Sequence, residues 1–155
     1  MKSQKAFVRQ DNSTVIKCPN CLKAKIISAA KFRGQSKTIQ VKCSCQAVFP
    51  VFFEFRKTYR KKTILRGTYI DLTLNNDCFD MIVKNVSLTG LGFNTIGKHR
   101  IEKGHELEVQ FTVESPLDTI INEQAVVKVV KGIFIGCEFT GSKELNKSLG
   151  FYLLP

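Results

Sequence analysis

Residues 63–139 read as six runs in which apolar and polar side chains alternate, and this period of two constrains the fold more than any other feature. The runs are TILRGTYIDLTL, CFDMIVKNV, LGFNTI, HELEVQFTV, IINEQAVVKVV and IFIGCEF. Asn75-Asn76-Asp77, Gly97, Gly104, Ser115-Pro116 and Lys131-Gly132 punctuate them as turn signals. Alternation gives each strand one core-facing side, and closing the sheet removes the exposed edges that a small β-domain cannot afford. The pattern predicts an all-β, six-stranded antiparallel barrel or sandwich. The tail SKELNKSLGFYLL opens with Ser142 and spaces Leu145, Leu149 and Tyr152 by four and three, which predicts a short C-terminal helix packed on it.

The segment ahead of these strands has another character. Short β-rich pieces at 14–17, 25–28, 38–42 and 47–55 alternate with polar connections, and four cysteines fall among them as Cys18-Pro-Asn-Cys21 and Cys43-Ser-Cys45. A unit this small buries too little surface to hold itself and needs a staple. Two close pairs, each delivering two thiolates from one turn, suit one tetrahedral zinc ion, although C-x-C departs from the commoner C-x-x-C spacing. A redox pair at Cys18/Cys21, structural disulfides and unrelated free thiols are the rival readings. With four protein ligands the site would be closed and structural. This stretch resembles a zinc ribbon, and we place the boundary so that residues 1–54 form it and 55–155 form the barrel domain. Cys78 and Cys137 read as core packing, and His99 and His105 as solvated loop residues.

Charge divides the chain in the same place. Residues 1–62 hold 15 Lys+Arg against two acids, Asp11 and Glu54, while residues 63–155 hold nine against eleven. The front excess of +13 calls for an anionic partner: nucleic acid, a nucleotide or an acidic membrane surface. No apolar run is long enough for a membrane span, and MKSQKAFVRQ lacks the apolar stretch of a signal peptide, so the expectation is a cytoplasmic protein. No nucleophile–base pair or open metal site is visible, so no enzyme is expected.

Two short motifs carry the ligand chemistry. Arg56-Lys57-Thr58-Tyr59-Arg60 is an R-x-x-x-R, and Asn85-Val86-Ser87-Leu88-Thr89-Gly90 is an N-x-S-x-x-G. Each has a plain alternative, a basic linker and a polar turn. A guanidinium fork can pair with guanine O6 and N7, stack on a purine or clamp a phosphate, which a lysine ammonium cannot do. Asn85 and Ser87 add amide and hydroxyl groups, and Gly90 admits close backbone approach.

R-x-x-x-R at the mouth of a six-stranded β-domain, followed about 25 residues on by [D/N]-x-S-x-x-G, resembles the PilZ domain family; the ending IFIGCEFTGSKELNKSLGFYL is also similar to that family's last strand and helix. The resemblance covers the chain from about Phe55 to Pro155. It implies a bacterial receptor for cyclic di-GMP, with Arg56, Arg60, Asn85, Ser87 and Gly90 as ligand-binding residues. Asn85 stands where many members carry Asp, which leaves one acceptor where an acid would offer two. The expected output is transmission to a protein partner. Ligand would order the arginine segment and reorient the ribbon through the Phe-rich strand 46–55, read as lying at the domain interface. The alternative is a nucleic-acid-binding regulator that uses the basic front half.

Overall fold

The computed structural model describes residues 2–35, 37–114, 118–141 and 147–154. The chain divides into two compact units, Met1–Lys57 and Thr58–Pro155, so Arg56 belongs to the first and Arg60 to the second.

In the first unit, β1 (Gln4–Phe7), β5 (Val48–Glu54) and β4 (Thr38–Lys42) form a sheet in the order β1-β5-β4. A separate hairpin joins β2 (Ser13–Lys17) to β3 (Ala24–Ser28), and one 3-10 turn spans Ala30–Phe32. β1 runs parallel to β5 and is absent from the sequence-based expectation. Only Ala6 of its four residues is buried, too little alternation to register as a strand. Phe49, Val51 and Phe53 of β5 are buried with Ala6, Ile16, Cys18 and Ala29, and Phe53 stacks on Phe32 at 5.2 Å. Phe49, Val51 and Phe53 thus contribute to the first unit's core.

The second unit is a closed barrel in the order β10-β11-β8-β7-β6-β9. Its strands are β6 (Lys61–Asp71), β7 (Cys78–Ser87), β8 (Gly90–Thr95), β9 (Glu106–Val113), β10 (Thr119–Lys131) and β11 (Phe134–Phe139). All pairings are antiparallel. The expected alternation holds: Leu107, Val109, Phe111 and Val113 of β9 all point inward and are buried, as are Met81 and Val83 of β7 and Phe93 of β8. Each such side chain contributes roughly 1.5–3 kcal/mol by leaving water. Asn76, Gly97, Gly104 and Gly132 adopt positive φ at the expected turns.

Helix α1 (Lys147–Leu153) buries Leu149 and Leu153 against the barrel core. Lys61 secures it, with Nζ donating to the Tyr152 carbonyl at 2.8 Å and lying 4.2 Å above the Tyr152 ring. The Ser142 start and Leu145, like the Ser115-Pro116 turn, fall outside the described residues. Two smaller expectations change. Cys137 is buried but Cys78 is exposed at the start of β7. His105 is no solvated loop residue: its Nδ1 lies 2.9 Å from the buried Asp71 carboxylate, while His99 Nε2 lies 2.7 Å from the Gly132 carbonyl. Among the described residues, no helix is long and apolar enough to cross a membrane.

Candidate functional site

The two cysteine pairs sit at the tips of two turns built to one plan. In the first, between β2 and β3, Cys18 N–H donates to the Lys23 carbonyl and Leu22 N–H to the Cys18 carbonyl. In the second, between β4 and β5, Cys43 N–H donates to the Ala47 carbonyl and Gln46 N–H to the Cys43 carbonyl. The residue after each second cysteine, Leu22 and Gln46, takes positive φ, at 61° and 70°. The second turn is the first shortened by one residue, which is why C-x-C can stand in for C-x-x-C.

The four Sγ atoms lie within 4.8 Å of one another, with Cys18–Cys45 at 3.6 Å and Cys21–Cys43 at 3.7 Å. Four sulfurs at about 2.3 Å from one zinc ion would be about 3.8 Å apart, so the spacing fits a tetrahedral metal. Backbone amides support thiolates here. The Cys45 amide leads the contacts that bring Cys43 down to about 6, and the amide of Ala47, aided by the Asn20 side chain 3.7 Å away, lowers Cys45. At Cys21 the Lys23 amide pulls the same way, but desolvation and the other three sulfurs override it and leave that thiol at about 11. Four sulfurs this close cannot all ionise without a cation among them. The cluster can hold one metal ion in a closed, all-protein shell.

The second candidate lies on the outer wall of the barrel. Arg60, Asn85, Ser87 and Gly90 line one cavity of about 280 Å³, together with Thr89, Gly92, Lys128, Val129, Phe134, Gly136 and Glu138. Strand register explains how they meet. Ser87 pairs with Gly90 and Gly90 with Glu138, so one row crosses β7, β8 and β11. Asn85, Gly92, Gly136 and Val129 form the adjoining row. Three glycines make the backbone floor, covered at Gly92 by the Phe134 ring and the Asn85 amide, while Asn85 and Ser87 stand on one side and Lys128 and Glu138 on the other. Pairing is irregular between Val83 and Asn85 on β7 and between Val127 and Val129 on β10. An extra residue at such a point re-aims its neighbours, here around the cavity. Arg60 directly precedes β6, whose first residue pairs with Val86.

Two of the expected residues are placed with a different emphasis. A Cβ on Gly90 would stand 2.1 Å from the Cys137 carbonyl oxygen, so the close approach that this glycine permits is to β11. Ser87 is buried, and its hydroxyl donates to the Gly90 carbonyl at 3.2 Å and accepts from the Thr89 amide at 3.3 Å, closing the β7–β8 turn. Arg56 is in the first unit, where its amide donates to Glu54 at 3.1 Å and its Nε lies 3.7 Å from the same carboxylate. The sequence motifs missed Lys128, Phe134 and Glu138, since strand register joins them to the site and no local spacing marks them.

No protein-family model and no curated protein matches the sequence. Solved structures do. The Bacillus subtilis inhibitor of motility MotI/DgrA aligns with 90% of this chain at 13% identity and a TM-score of 0.55; the alignment covers 62% of that chain, so this protein spans less than two thirds of its length. The PilZ domain of Escherichia coli YcgR with c-di-GMP aligns over 63% of this chain and 87% of its own, at 13% identity and a TM-score of 0.49. YcgR in complex with c-di-GMP aligns over 92% and 60%, at 12% identity and a TM-score of 0.49. At such identity a likeness speaks to fold alone. The chain is an all-β protein with a six-stranded antiparallel barrel and a short C-terminal helix, behind a small β-rich unit with a four-cysteine cluster, and it is similar in fold to MotI/DgrA.

Proposed function

We propose that this protein is a receptor for cyclic di-GMP that binds the nucleotide on the outer wall of its barrel and passes the liganded state to a protein partner. One observation carries the reading: Arg60, Asn85 and the Ser87–Gly90 turn, distant in sequence, line one cavity with a glycine floor. The Arg60 guanidinium is suited to a guanine or a phosphate, and the Asn85 amide to a base edge. Gly90 sets the strand that carries the floor. Arg56, four residues upstream of Arg60, is within about 14 Å of it along the chain and supplies the second guanidinium.

Zinc is the metal that a four-thiolate shell of this spacing favours, and its role is to hold the first unit together; Cys18, Cys21, Cys43 and Cys45 are its ligands. Residues 56–62 carry five cations. A dianion offsets part of this charge and orders the segment, and this ordering reorients the ribbon. Titration calorimetry with cyclic di-GMP tests the reading directly, and the wild type binding no ligand would end it. Spin-label distances between Leu22 and Gly104 test the reorientation; if ligand leaves the distribution unchanged, the signal is read at the nucleotide itself. The strong positive charge of the front segment favours one other reading, nucleic-acid binding, which would show as duplex DNA affinity with a steep salt slope.

A further inference from the structure

Guanine presents two donors on its Watson–Crick edge, N1–H and the N2 amino group. A carboxylate accepts both, whereas the Asn85 amide has one accepting oxygen and an NH₂ that needs an acceptor of its own. Among the described residues lining the cavity there is a single carboxylate, Glu138. We infer that Glu138 is the guanine-selecting acceptor of this pocket, and that it supplies from β11 the acid missing at position 85. The inference rests on the cyclic di-GMP reading above.

The geometry suits two-sided recognition of one base. Glu138 is paired with Gly90, and Gly90 with Ser87, so Glu138 stands two strands away from the β7 wall, about 10 Å across the glycine floor. A guanine stacked against the Phe134 ring, which with Asn85 covers the floor at Gly92, can turn its N1/N2 edge to Glu138 and its O6/N7 edge to Asn85. This gives the Asn85 NH₂ an acceptor and leaves its lack of a second accepting oxygen without consequence. Phe134, beside Asn85 over Gly92, offers a ring against the base.

The carboxylate is accessible at the surface. Lys128 Nζ lies 3.3 Å from Glu138 Oε2, and both side chains are more than half exposed. An exposed pair of this kind is weak and solvent-screened, so an incoming guanine displaces it readily. Lys128 sits at the irregular point of β10, and once released it faces the same cavity, where a phosphate is the natural partner.

Calorimetry on the full chain with three probes tests this: cyclic di-GMP, its inosine analogue, which lacks only the N2 amino groups, and cyclic di-AMP. The wild type is expected to prefer cyclic di-GMP over both. Glu138→Gln should weaken cyclic di-GMP about 5- to 150-fold and bring its ratio to the inosine analogue close to one. Lys128→Met should weaken all three while preserving that ratio. A Glu138→Gln variant that keeps the ratio, or a Lys128→Met variant that abolishes it, overturns the assignment. Failure of the wild type to bind cyclic di-GMP is a separate outcome, which overturns the receptor reading and the assignment with it.

Discussion

The amide nitrogen of Asn85 lies over Gly92, so that a Cβ at position 92 would stand 2.8 Å from Nδ2 and 2.6 Å from Cζ of Phe134. Both atoms are tips of side chains that can swing aside. Gly92→Ala is therefore expected to fold normally but to re-aim Asn85, lowering cyclic di-GMP affinity about 5- to 10-fold, the worth of one hydrogen bond. Gly90→Ala should do the opposite. Its Cβ meets the Cys137 carbonyl oxygen at 2.1 Å, and main chain cannot swing, so the barrel loses about 3 kcal/mol. Urea denaturation of the two variants beside their calorimetry separates these effects, and equal destabilisation would contradict the geometry.

Arginine placement gives the next contrast. Arg60 lines the glycine-floored cavity, while Arg66, six residues on, lies on a different surface beside Asp80 and Gln110. Arg60→Ala should remove about 1–3 kcal/mol of binding, or roughly 5- to 150-fold in affinity, and Arg66→Ala should change it less than twofold. Equal losses at the two positions would mean that bulk positive charge, and not the pocket, holds the nucleotide.

The cysteine cluster predicts one zinc per chain by elemental analysis. Chelation, or Cys43→Ser, should melt the first unit and leave the barrel's denaturation curve in place, because the two units have separate cores. One transition lost together with all structure would show that the metal supports both.

Thiol reactivity checks the same assignment. Burial pushes Cys137 up to about 12, and a metal ion would engage the four clustered sulfurs, which leaves exposed Cys78. The native protein should show one fast-reacting thiol with an aromatic disulfide reagent, rising to five after chelation. Four or more fast thiols before chelation would argue against a bound metal.

Legibility in the sequence followed the range of the interactions. The six barrel strands could be read because alternation is local, and residues such as Val109 and Phe111 report their burial through their spacing alone. The cysteine knuckles were readable for the same reason. β1 was not, since its parallel pairing with β5 joins residues almost 50 positions apart and only Ala6 bears a burial signature. Glu138 and Lys128 were invisible as site residues because register and an irregular pairing in β10, both tertiary facts, bring them to Asn85. His105 was misjudged because its partner, Asp71, lies 34 residues away. The Phe-rich strand 46–55 was correctly read as needing burial, but sequence cannot say against which partner.

Glu54 supplies a pH prediction. It is 7% exposed at the end of β5, with Lys5 Nζ at 3.1 Å, Arg56 Nε at 3.7 Å and the Arg56 amide donating at 3.1 Å. Burial alone would push its carboxyl up, but the Arg56 amide and the two cations outweigh that and hold it below its ordinary 4.5. A depressed folded-state pKa contributes stability that is complete above the unfolded value and is lost as pH falls through the folded one. Glu54→Gln should therefore cost the first unit about 1–2 kcal/mol at pH 7. The gap between wild type and variant should narrow only once the pH drops below about 4.5. Acid also protonates the cysteine thiolates and loosens the metal, but it does so equally in both proteins. The quantity to measure is thus the difference in urea midpoint between wild type and Glu54→Gln, from pH 7 to pH 4 with zinc in excess. A difference that does not change with pH would mean that Glu54 acts by packing alone, and one that grows toward acid would reverse the sign argued here.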